Sequence, residues 1–383
     1  MGVIISTKEQ IDAYFKSEDL GQSSLKSLEN GVESFLSNRN EVKTSFYQEK
    51  GHFIIGSGVD TILTGQQGQY ESETYVSELD KKPSDAIMSM VAHVYSMLIE
   101  HLEEDESLES FVLDNGNSLA DYQGLLDQAR AYQQYNSNLK VETFYSKMIT
   151  EGDLYFQDLI AAHGKQVVDQ TQDFLIKDIV MSLKTHSRTS RFFDRETQQN
   201  LVDTDVYYQL PVYFVYKGVK CKALMDLVIV VKNEDGSIKA VFPYDVKTMS
   251  GLTRFFPTSV KVRRYDIQAA WYTLALQHFF GQDIVISPFK FIVESTTDVG
   301  SPLVFECHES LLNIGRHGRA AMEMMPPAEK PELTSFMLQR PVKGYEDLLE
   351  DFIWYEANGW EEDKTVKLNK GFLLLDWNGI KET

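Results

Sequence analysis

The sequence predicts an α/β protein in which helices flank a small mixed β-sheet and a large helical insertion interrupts the chain. Apolar residues recur at helical spacing through 84–182, for example at Ile87, Val91 and Leu98. The second half of the chain changes to short runs rich in Val, Ile, Tyr and Phe, which are typical of strands. A further helical run at 264–280 lies between two such strands, and this alternation favours a mixed sheet covered by helices.

The individual elements follow from the same patterns. Residues 1–50 are predicted to form short helices, because Ser23 and Ser24 precede apolar residues at helical spacing. The later elements are predicted in this order: strands at 207–216, 221–232 and 238–247, a helix at 264–280, a strand at 288–295, a helix at 344–358 and a short strand at 371–377. Four segments result: an N-terminal helical segment (1–50), a first core helix with the helical insertion (51–204), the sheet core (205–300) and a C-terminal helix and strand segment (301–383).

Composition narrows the function classes. The chain of 383 residues has a formal net charge of −20, which argues against a general nucleic-acid coat but not against an enzyme with local basic residues. The two cysteines, Cys221 and Cys307, cannot supply a disulfide scaffold or a four-thiolate iron–sulfur cluster. No apolar run reaches the roughly 20 residues of a membrane span, and 1–30 lacks a signal-peptide pattern, so we expect a soluble cytoplasmic protein with no membrane partner.

A predicted hairpin brings two carboxylates together. Asp235 and Gly236 both tolerate the positive φ of a type I′ turn and therefore predict a two-residue loop. With that loop, Asp226 faces Asp245 across antiparallel strands, with Cβ atoms about 4.5–5.5 Å apart. Lys247 follows Asp245 by two residues and so emerges on the same face of the sheet.

Facing carboxylates in apolar strands are unfavourable unless a cation lies between them. Paired Asp oxygens with water suit Mg²⁺, and a nearby ammonium can orient an attacking water, so the pattern favours metal-assisted phosphodiester hydrolysis. The spacing acid–any–Lys is common in solvated charge pairs, which is the alternative reading. It occurs four times here, but only the copy at Asp245 ends an apolar strand opposite another Asp.

Basic residues are concentrated beside this hairpin. Between residues 246 and 265 the chain carries no acidic residue, and 184–191 is a second basic run. Such clusters suit a phosphate backbone, although they can equally be solvated charges. The candidate DNA-binding residues are Arg254, Lys261, Arg263, Arg264, Arg188 and Arg191. On the following helix, Gln268 and Tyr272 stand four residues apart and share a face. They either line the site or are an ordinary core tyrosine and a surface glutamine.

Together these residues resemble the PD-(D/E)xK nuclease superfamily. The motif has three parts: Asp226, then Asp245-Val246-Lys247, then Gln268 and Tyr272. Its Gln-x-x-x-Tyr element is similar to the RecB-like branch, which includes lambda exonuclease and RecE-type exodeoxyribonuclease VIII. The segments 22–26, 56–63 and 345–349 also look like the RecE-type group.

The resemblance implies a restriction-endonuclease-like core over 205–300 and a role for each motif residue. Asp226, Asp245 and the Val246 backbone carbonyl would bind Mg²⁺, with Mn²⁺ as a substitute, and Lys247 would assist the water while Gln268 and Tyr272 line the site. The chain departs from the family pattern at two positions: Asp60 stands where the first core helix often has a metal-binding His, and Gln209 where the preceding strand often has a Glu. Asp60 could replace that imidazole.

The resemblance leads us to expect a Mg²⁺-dependent DNA exonuclease of RecE type in phage or prophage recombination or DNA repair. It would act on duplex ends in the bacterial cytoplasm, supply single strands to an annealing protein and form a homo-oligomeric ring. It would hold no iron–sulfur cluster, and the absence of a P-loop motif from the sequence indicates no nucleotide cofactor. The alternatives are a catalytically inert DNA-binding or assembly protein on the same fold, and an endonuclease of the superfamily.

Overall fold

The computed structural model describes most of the chain, and the elements below are numbered in chain order. The described residues are 2–40, 51–79, 82–102, 107–133, 140–319, 342–361, 364, 374–376 and 379–381. The strands are β1 Val3–Ile5, β2 Leu20–Gly21, β3 Thr74–Ser77, β4 Gln166–Asp169, β5 Thr204–Tyr216, β6 Val219–Lys232, β7 Ile238–Met249, β8 Lys290–Ser295, β9 Leu303–Glu306, β10 Leu374–Asp376 and β11 Gly379–Lys381.

The helices vary from 5 to 16 residues in length. They are α1 Lys8–Lys16, α2 Gln22–Ser27, α3 Val32–Asn40, α4 Gly51–Thr64, α5 Gln69–Glu73, α6 Asp85–Glu100, α7 Leu108–Asn115, α8 Gln123–Gln133, α9 Val141–Lys147, α10 Asp153–Ala162, α11 Gln170–Thr185, α12 Arg195–Gln199, α13 Tyr265–Phe280, α14 Glu309–His317 and α15 Tyr345–Asn358. No helix among the described residues is long and apolar enough to cross a membrane.

The chain forms two compact units. Unit 1 comprises Met1–Glu41, Thr64–Gln66 and Met181–Thr383, and unit 2 comprises Val42–Leu63 and Gln67–Val180. Unit 2 is mainly helical, with its own apolar core around α6, α8 and α10 and a two-stranded parallel sheet of β3 and β4. The four segments expected from the sequence remain a prediction.

Unit 1 is built on a mixed sheet in the order β1-β5-β6-β7-β8-β9, with β2 also paired to β6. The long meander β5–β6–β7 is antiparallel, whereas β7 and β8 are parallel and are connected through α13. Helix α13 is buried along most of its length because it packs on the sheet on one side and beneath α14 and α15 on the other. The predicted class, a mixed sheet flanked by helices, is therefore confirmed.

The strands and helices predicted from periodicity appear within a few residues of their expected bounds at β5 to β8, α13 and α15. The structure adds elements that were not predicted, among them β1, β2, β3, β4, β9, β11 and α14. Helix α2 is also capped differently from expectation, since it begins at Gln22 after Gly21, without a side-chain cap. The predicted strand at 371–377 corresponds to β10, and its remaining residues lie outside the described ones.

The hairpin between β6 and β7 has the predicted register but not the predicted loop. Leu227 pairs with Tyr244 and Val231 with Ala240, which is the alignment that makes Asp226 face Asp245. The two-residue loop is wrong, because Lys232 pairs with Ile238 across a register shift and the turn at 233–237 is longer. The irregularity restores the alignment that a two-residue turn would have given.

Candidate active site

Strands β6 and β7 part at the two carboxylates. Their pairing ends at Leu227 and Tyr244, and farther along its length β6 pairs with β2 instead. Asp226 and Asp245 are the next facing pair, so they lie in the fork between the strands. The Val246 backbone N–H donates to Asp226 Oδ2 at 2.7 Å. Because β6 diverges from β7 here, this N–H has no backbone partner on β6, and the Asp226 carboxylate satisfies it instead.

Asp245 is 1% exposed and is surrounded by hydrogen-bonding side chains. Gln268 Nε2 on α13 donates to Asp245 Oδ1 at 2.6 Å, and Lys247 Nζ forms an ion pair with Oδ2. Burial raises the pKa of Asp245, and Lys247 and Gln268 oppose that effect. The site therefore holds more negative charge than its surroundings fully stabilise.

Lys247 is a charged donor at this site. Burial acts to lower the pKa of Lys247, but the negative charges of Asp245 and Asp226 outweigh it and raise that pKa above its ordinary value. The ammonium also lies 5.3 Å from the centre of the Tyr265 ring, a favourable cation–π distance. A permanently protonated amine can donate hydrogen bonds and stabilise negative charge, but it cannot accept a proton near neutral pH.

Tyr272 lies one helical turn beyond Gln268, in the position that the sequence predicts. Its side chain is 7% exposed, a hydrogen bond links it to Gln268, and burial raises the pKa of its hydroxyl well above the ordinary value. Its ring packs edge-on against Phe289, with centroids 5.9 Å apart. A buried ring cannot stack on a nucleic-acid base, so Tyr272 supports the site from inside the core.

Lys26 is a neighbour of the site that the sequence did not single out for chemistry. Its Nζ donates to the Arg263 backbone carbonyl at 2.9 Å, across 237 positions in sequence. Burial, followed by the positive charges of Lys247 and Arg264, lowers the pKa of Lys26 to about 8. The residue falls in the segment 22–26 used for the resemblance, but nothing in the local pattern indicates its proximity to Lys247.

Gln209 occupies the position opposite Asp226 on the other side of β6. The pairs on either side, Tyr208 with Leu227 and Leu210 with Met225, fix this register. Gln209 has a left-handed backbone with φ of 53°, which is unusual inside a strand and strained for a residue other than glycine. Its Nε2 donates to Thr64 Oγ1 at 2.6 Å.

The candidate site fits a hard divalent cation with few protein ligands. No group of three or more His, Cys, Asp or Glu side chains is arranged to hold a metal ion within the part of the chain that the structure describes. Two carboxylates and a backbone carbonyl are nevertheless sufficient for Mg²⁺, which usually keeps several waters. Burial raises the pKa of the Asp245 carboxyl group despite its contacts with Lys247 and Gln268, and a cation at this place would favour the charged form of that group.

Asp60, the remaining candidate ligand, is half-buried on α4 within unit 2. Its part in a metal site remains a prediction from the resemblance.

The predicted DNA-binding residues divide into an exposed set and one buried residue. The exposed residues are Arg254, Lys261, Arg263, Arg188 and Arg191. The expectation for Arg264 is wrong, because its side chain is buried, with 5% of the residue exposed. Its guanidinium pairs with Asp266 and Glu29 and donates to the Lys343 carbonyl at 2.7 Å. Glu29 and Lys343 lie far from Arg264 in the sequence, which is why a local charge count could not reveal its burial.

Comparison with known proteins gives little further information. No protein-family model matches the chain, and no curated protein matches it. Among solved structures, the chain is similar to one named "Putative exonuclease" from Eubacterium rectale, at 13% identity. The match covers 64% of this chain and 77% of that chain with a TM-score of 0.28. A likeness this slight does not bear on the activity of the present chain.

Proposed function

We propose that the protein is a Mg²⁺-dependent deoxyribonuclease that hydrolyses phosphodiester bonds at the Asp226–Asp245 fork. The observation that carries the proposal is the facing of these two carboxylates in apolar strands, with Lys247 and Gln268 both in contact with Asp245. Two like charges that face each other, one buried (Asp245) and one half-buried (Asp226), are costly unless a function requires them. This arrangement supplies acidic ligands, a fixed ammonium and an amide within a few ångströms of one another.

Each residue has a role that its surroundings favour. Asp226, Asp245 and the Val246 carbonyl would hold Mg²⁺ or Mn²⁺, which supplies a Lewis acid that offsets charge developing on the phosphate. Gln268 fixes the rotamer of Asp245 by its hydrogen bond to Oδ1. Lys247, kept protonated by its acidic neighbours, donates to the attacking water or to a phosphate oxygen.

The basic residues near the site suit a nucleic-acid substrate. Arg254, Lys261 and Arg263 are exposed on the segment that connects β7 to α13, and that segment lies in sequence between Lys247 and Gln268. Phosphate contacts from such residues hold a strand in position without reading its sequence. A chain with a net charge of −20 is otherwise poorly suited to DNA, so binding would be restricted to this region.

The finer assignment to an end-dependent exonuclease of RecE type rests on the resemblance of the three-part motif. In this proposal the enzyme resects linear duplex DNA in the cytoplasm and passes single strands to an annealing protein. A homo-oligomeric ring around the duplex belongs to the same proposal.

Hydrolysis of linear duplex DNA in Mg²⁺ tests the activity, with Asp245→Asn and Lys247→Met as the site variants. Both should lose at least 100-fold in rate, on the scale of removing one electrostatic stabiliser. Asp235→Asn is the matched control, since it removes a carboxylate from the exposed turn of the same hairpin. Equal hydrolysis by Asp245→Asn and the parent protein would refute the assignment.

Two further measurements separate the alternatives. Degradation of covalently closed circular DNA at the rate of linear DNA would favour an endonuclease. Calorimetry that detects no Mg²⁺ or Mn²⁺ binding, while DNA binding is intact, would favour an inert DNA-binding protein on this fold.

A further inference from the structure

A cavity of about 330 Å³ opens beside the candidate active site, in unit 1. This volume is at the low end of the roughly 300–1,000 Å³ of small-molecule sites. Four phenylalanines dominate its lining: Phe255, Phe256, Phe291 and Phe305. Phe291 is buried, whereas Phe256 is 53% exposed, so the cavity extends from the core to solvent.

Two of the phenylalanines that line the cavity are in register with Asp245 on neighbouring strands. Asp245 on β7 pairs with Phe291 on β8, and Phe291 pairs with Phe305 on β9. Adjacent strands are about 4.8 Å apart, so these two rings are attached roughly 5 and 10 Å from the Asp245 backbone. A nucleotide whose phosphate lies at Asp245 could therefore extend its base toward the cavity.

The inner rings of the lining pack on one another and form an aromatic wall. Phe255 stacks on Phe305 with centroids 4.6 Å apart and an interplanar angle of 20°. Phe255 also meets Phe291 edge-on at 5.5 Å. Phe256, next in sequence, presents its ring at the mouth and could cover one face of a planar group that enters the cavity.

Charge at the mouth indicates which part of a nucleic acid would enter. Lys261 is exposed and lies 5.0 Å from the centre of the Phe256 ring, where it can contact a phosphate outside the cavity. Glu306, the acidic lining residue, forms an ion pair with Lys290 at 2.9 Å. The lining is otherwise largely apolar, so the cavity fits a neutral base and the cations outside it fit the backbone.

We propose that this cavity binds an unpaired nucleobase of the strand whose phosphate occupies the Asp226–Asp245 fork. The inference rests on the proposed function and adds that the substrate is unpaired at the site of hydrolysis. Stacking on phenylalanine rings tolerates any base, because every base has a π-face. The enzyme would thus hold a frayed strand end without sequence preference.

Fluorescence of a single-stranded oligonucleotide with one 2-aminopurine tests the proposal in metal-free buffer, where no hydrolysis occurs. Binding should quench the probe, and Phe256→Ala should abolish the quenching and weaken binding about 10-fold, within the range for loss of one stacked base. Phe256→Tyr should retain both properties. The matched control is Phe279→Ala, which removes a ring of similar exposure, 48%, from the end of α13.

A second arm replaces bases by abasic sites and so separates base recognition from phosphate recognition. The abasic oligonucleotide should bind about 10-fold more weakly to the parent protein and equally to Phe256→Ala. Equal binding of abasic and normal oligonucleotides by the parent protein would overturn the inference, as would full quenching by Phe256→Ala. Because neither arm needs hydrolysis, an inactive protein that still passes both would refute the proposed nuclease activity and leave the base site standing.

Discussion

Glycine and alanine substitutions at Gln209 would reveal whether the left-handed backbone of β5 is strained. In an ordinary strand Gly is less stable than Ala by roughly 0.5–1 kcal/mol, because Gly loses more chain entropy on folding. At Gln209, with φ of 53°, any residue that carries a Cβ is strained. We therefore expect the usual order of the two variants to reverse, with Gln209→Gly more stable than Gln209→Ala.

The magnitude follows from three contributions. Both variants lose the hydrogen bond to Thr64, at a cost of about 1 kcal/mol in the free energy of unfolding. Gln209→Gly relieves about 1–2 kcal/mol of left-handed strain, from which the roughly 0.5–1 kcal/mol of chain entropy is subtracted. Gln209→Ala should thus be destabilised by about 1 kcal/mol, and Gln209→Gly should be about 0.5–1 kcal/mol more stable than Gln209→Ala.

Urea unfolding followed by tryptophan fluorescence measures this difference in unit 1. The protein has four tryptophans, and all lie between residues 181 and 383, the part of the chain assigned to that unit. Val215 is the control position, since it is exposed on the same strand and lacks a positive φ. There the Ala variant should exceed the Gly variant by roughly 0.5–1 kcal/mol. The same order at both positions would refute the claim of strain.

Four other perturbations give separate predictions. DNA affinity should fall as pH rises through about 8, because Lys26 loses its charge there. Burial and neighbouring cations lower the pKa of Lys26 to about 8. Lys26→Arg should remove this pH dependence in a binding titration. Arg264→Met should lower the unfolding free energy by about 3–5 kcal/mol by breaking a buried ion pair. Arg254→Ala should leave stability unchanged and reduce the salt slope of DNA binding by about 1 in fluorescence anisotropy. Gly315→Ala should destabilise by more than about 2 kcal/mol in the same urea assay, because its Cβ would lie 2.0 Å from the Asp266 carbonyl oxygen.

Deprotonation of Lys26 should have opposite effects on the stability of the protein and on its affinity for DNA. A folded-state pKa below the unfolded value means that the native state releases this proton first as pH rises. The burial penalty of the charged amine is therefore present below about pH 8, and stability should increase between there and the unfolded pKa of about 10.4. DNA affinity should change in the opposite direction over the same interval, so a parallel fall of both quantities would contradict this account. The charged groups that act on Lys26 are Lys247, Arg264, Asp266 and Glu29.

The sequence predicts the long elements because their patterns extend over many residues. Strands β5, β6 and β7 each have 12 to 14 residues, and their Val, Ile and Tyr content identifies them. Strands β1 and β2 have three and two residues, too few for a period to be visible, and they form only because β5 and β6 offer free edges. The register of the hairpin was predicted, but its turn was not, since the compensating bulge depends on backbone geometry.

In the candidate site, too, the sequence predicts some features and not others. The Asp226, Asp245 and Lys247 positions follow from register, and Gln268 follows from helical spacing. The burial of Arg264 does not, because two of its partners, Glu29 and Lys343, lie 235 residues earlier and 79 residues later in the chain. A run of like charges in sequence therefore indicates a basic surface only where tertiary contacts leave its members exposed.

The side-chain alternation of β5 and β6 reverses beside the site, and this explains where the carboxylate pair can exist. On each side of the Gln209–Asp226 pair, every second residue of a strand faces the core of unit 1. The core-facing residues of each strand are even-numbered on one side of the pair and odd-numbered on the other, although the pairing of the two strands does not shift. The residues concerned are Leu210, Val212 and Phe214 with Cys221, Ala223 and Met225 on one side, and Tyr207, Val228 and Val230 on the other. A regular pleat cannot change parity, so on β5 a residue must leave the β region, and Gln209 does so.

The reversal coincides with the fork at which β6 leaves β7. Asp226 can therefore turn a polar side chain toward Asp245 although core residues flank it on both sides. The site thus depends on one unfavourable backbone conformation at a polar residue, and the hydrophobic pattern of the strands does not encode it.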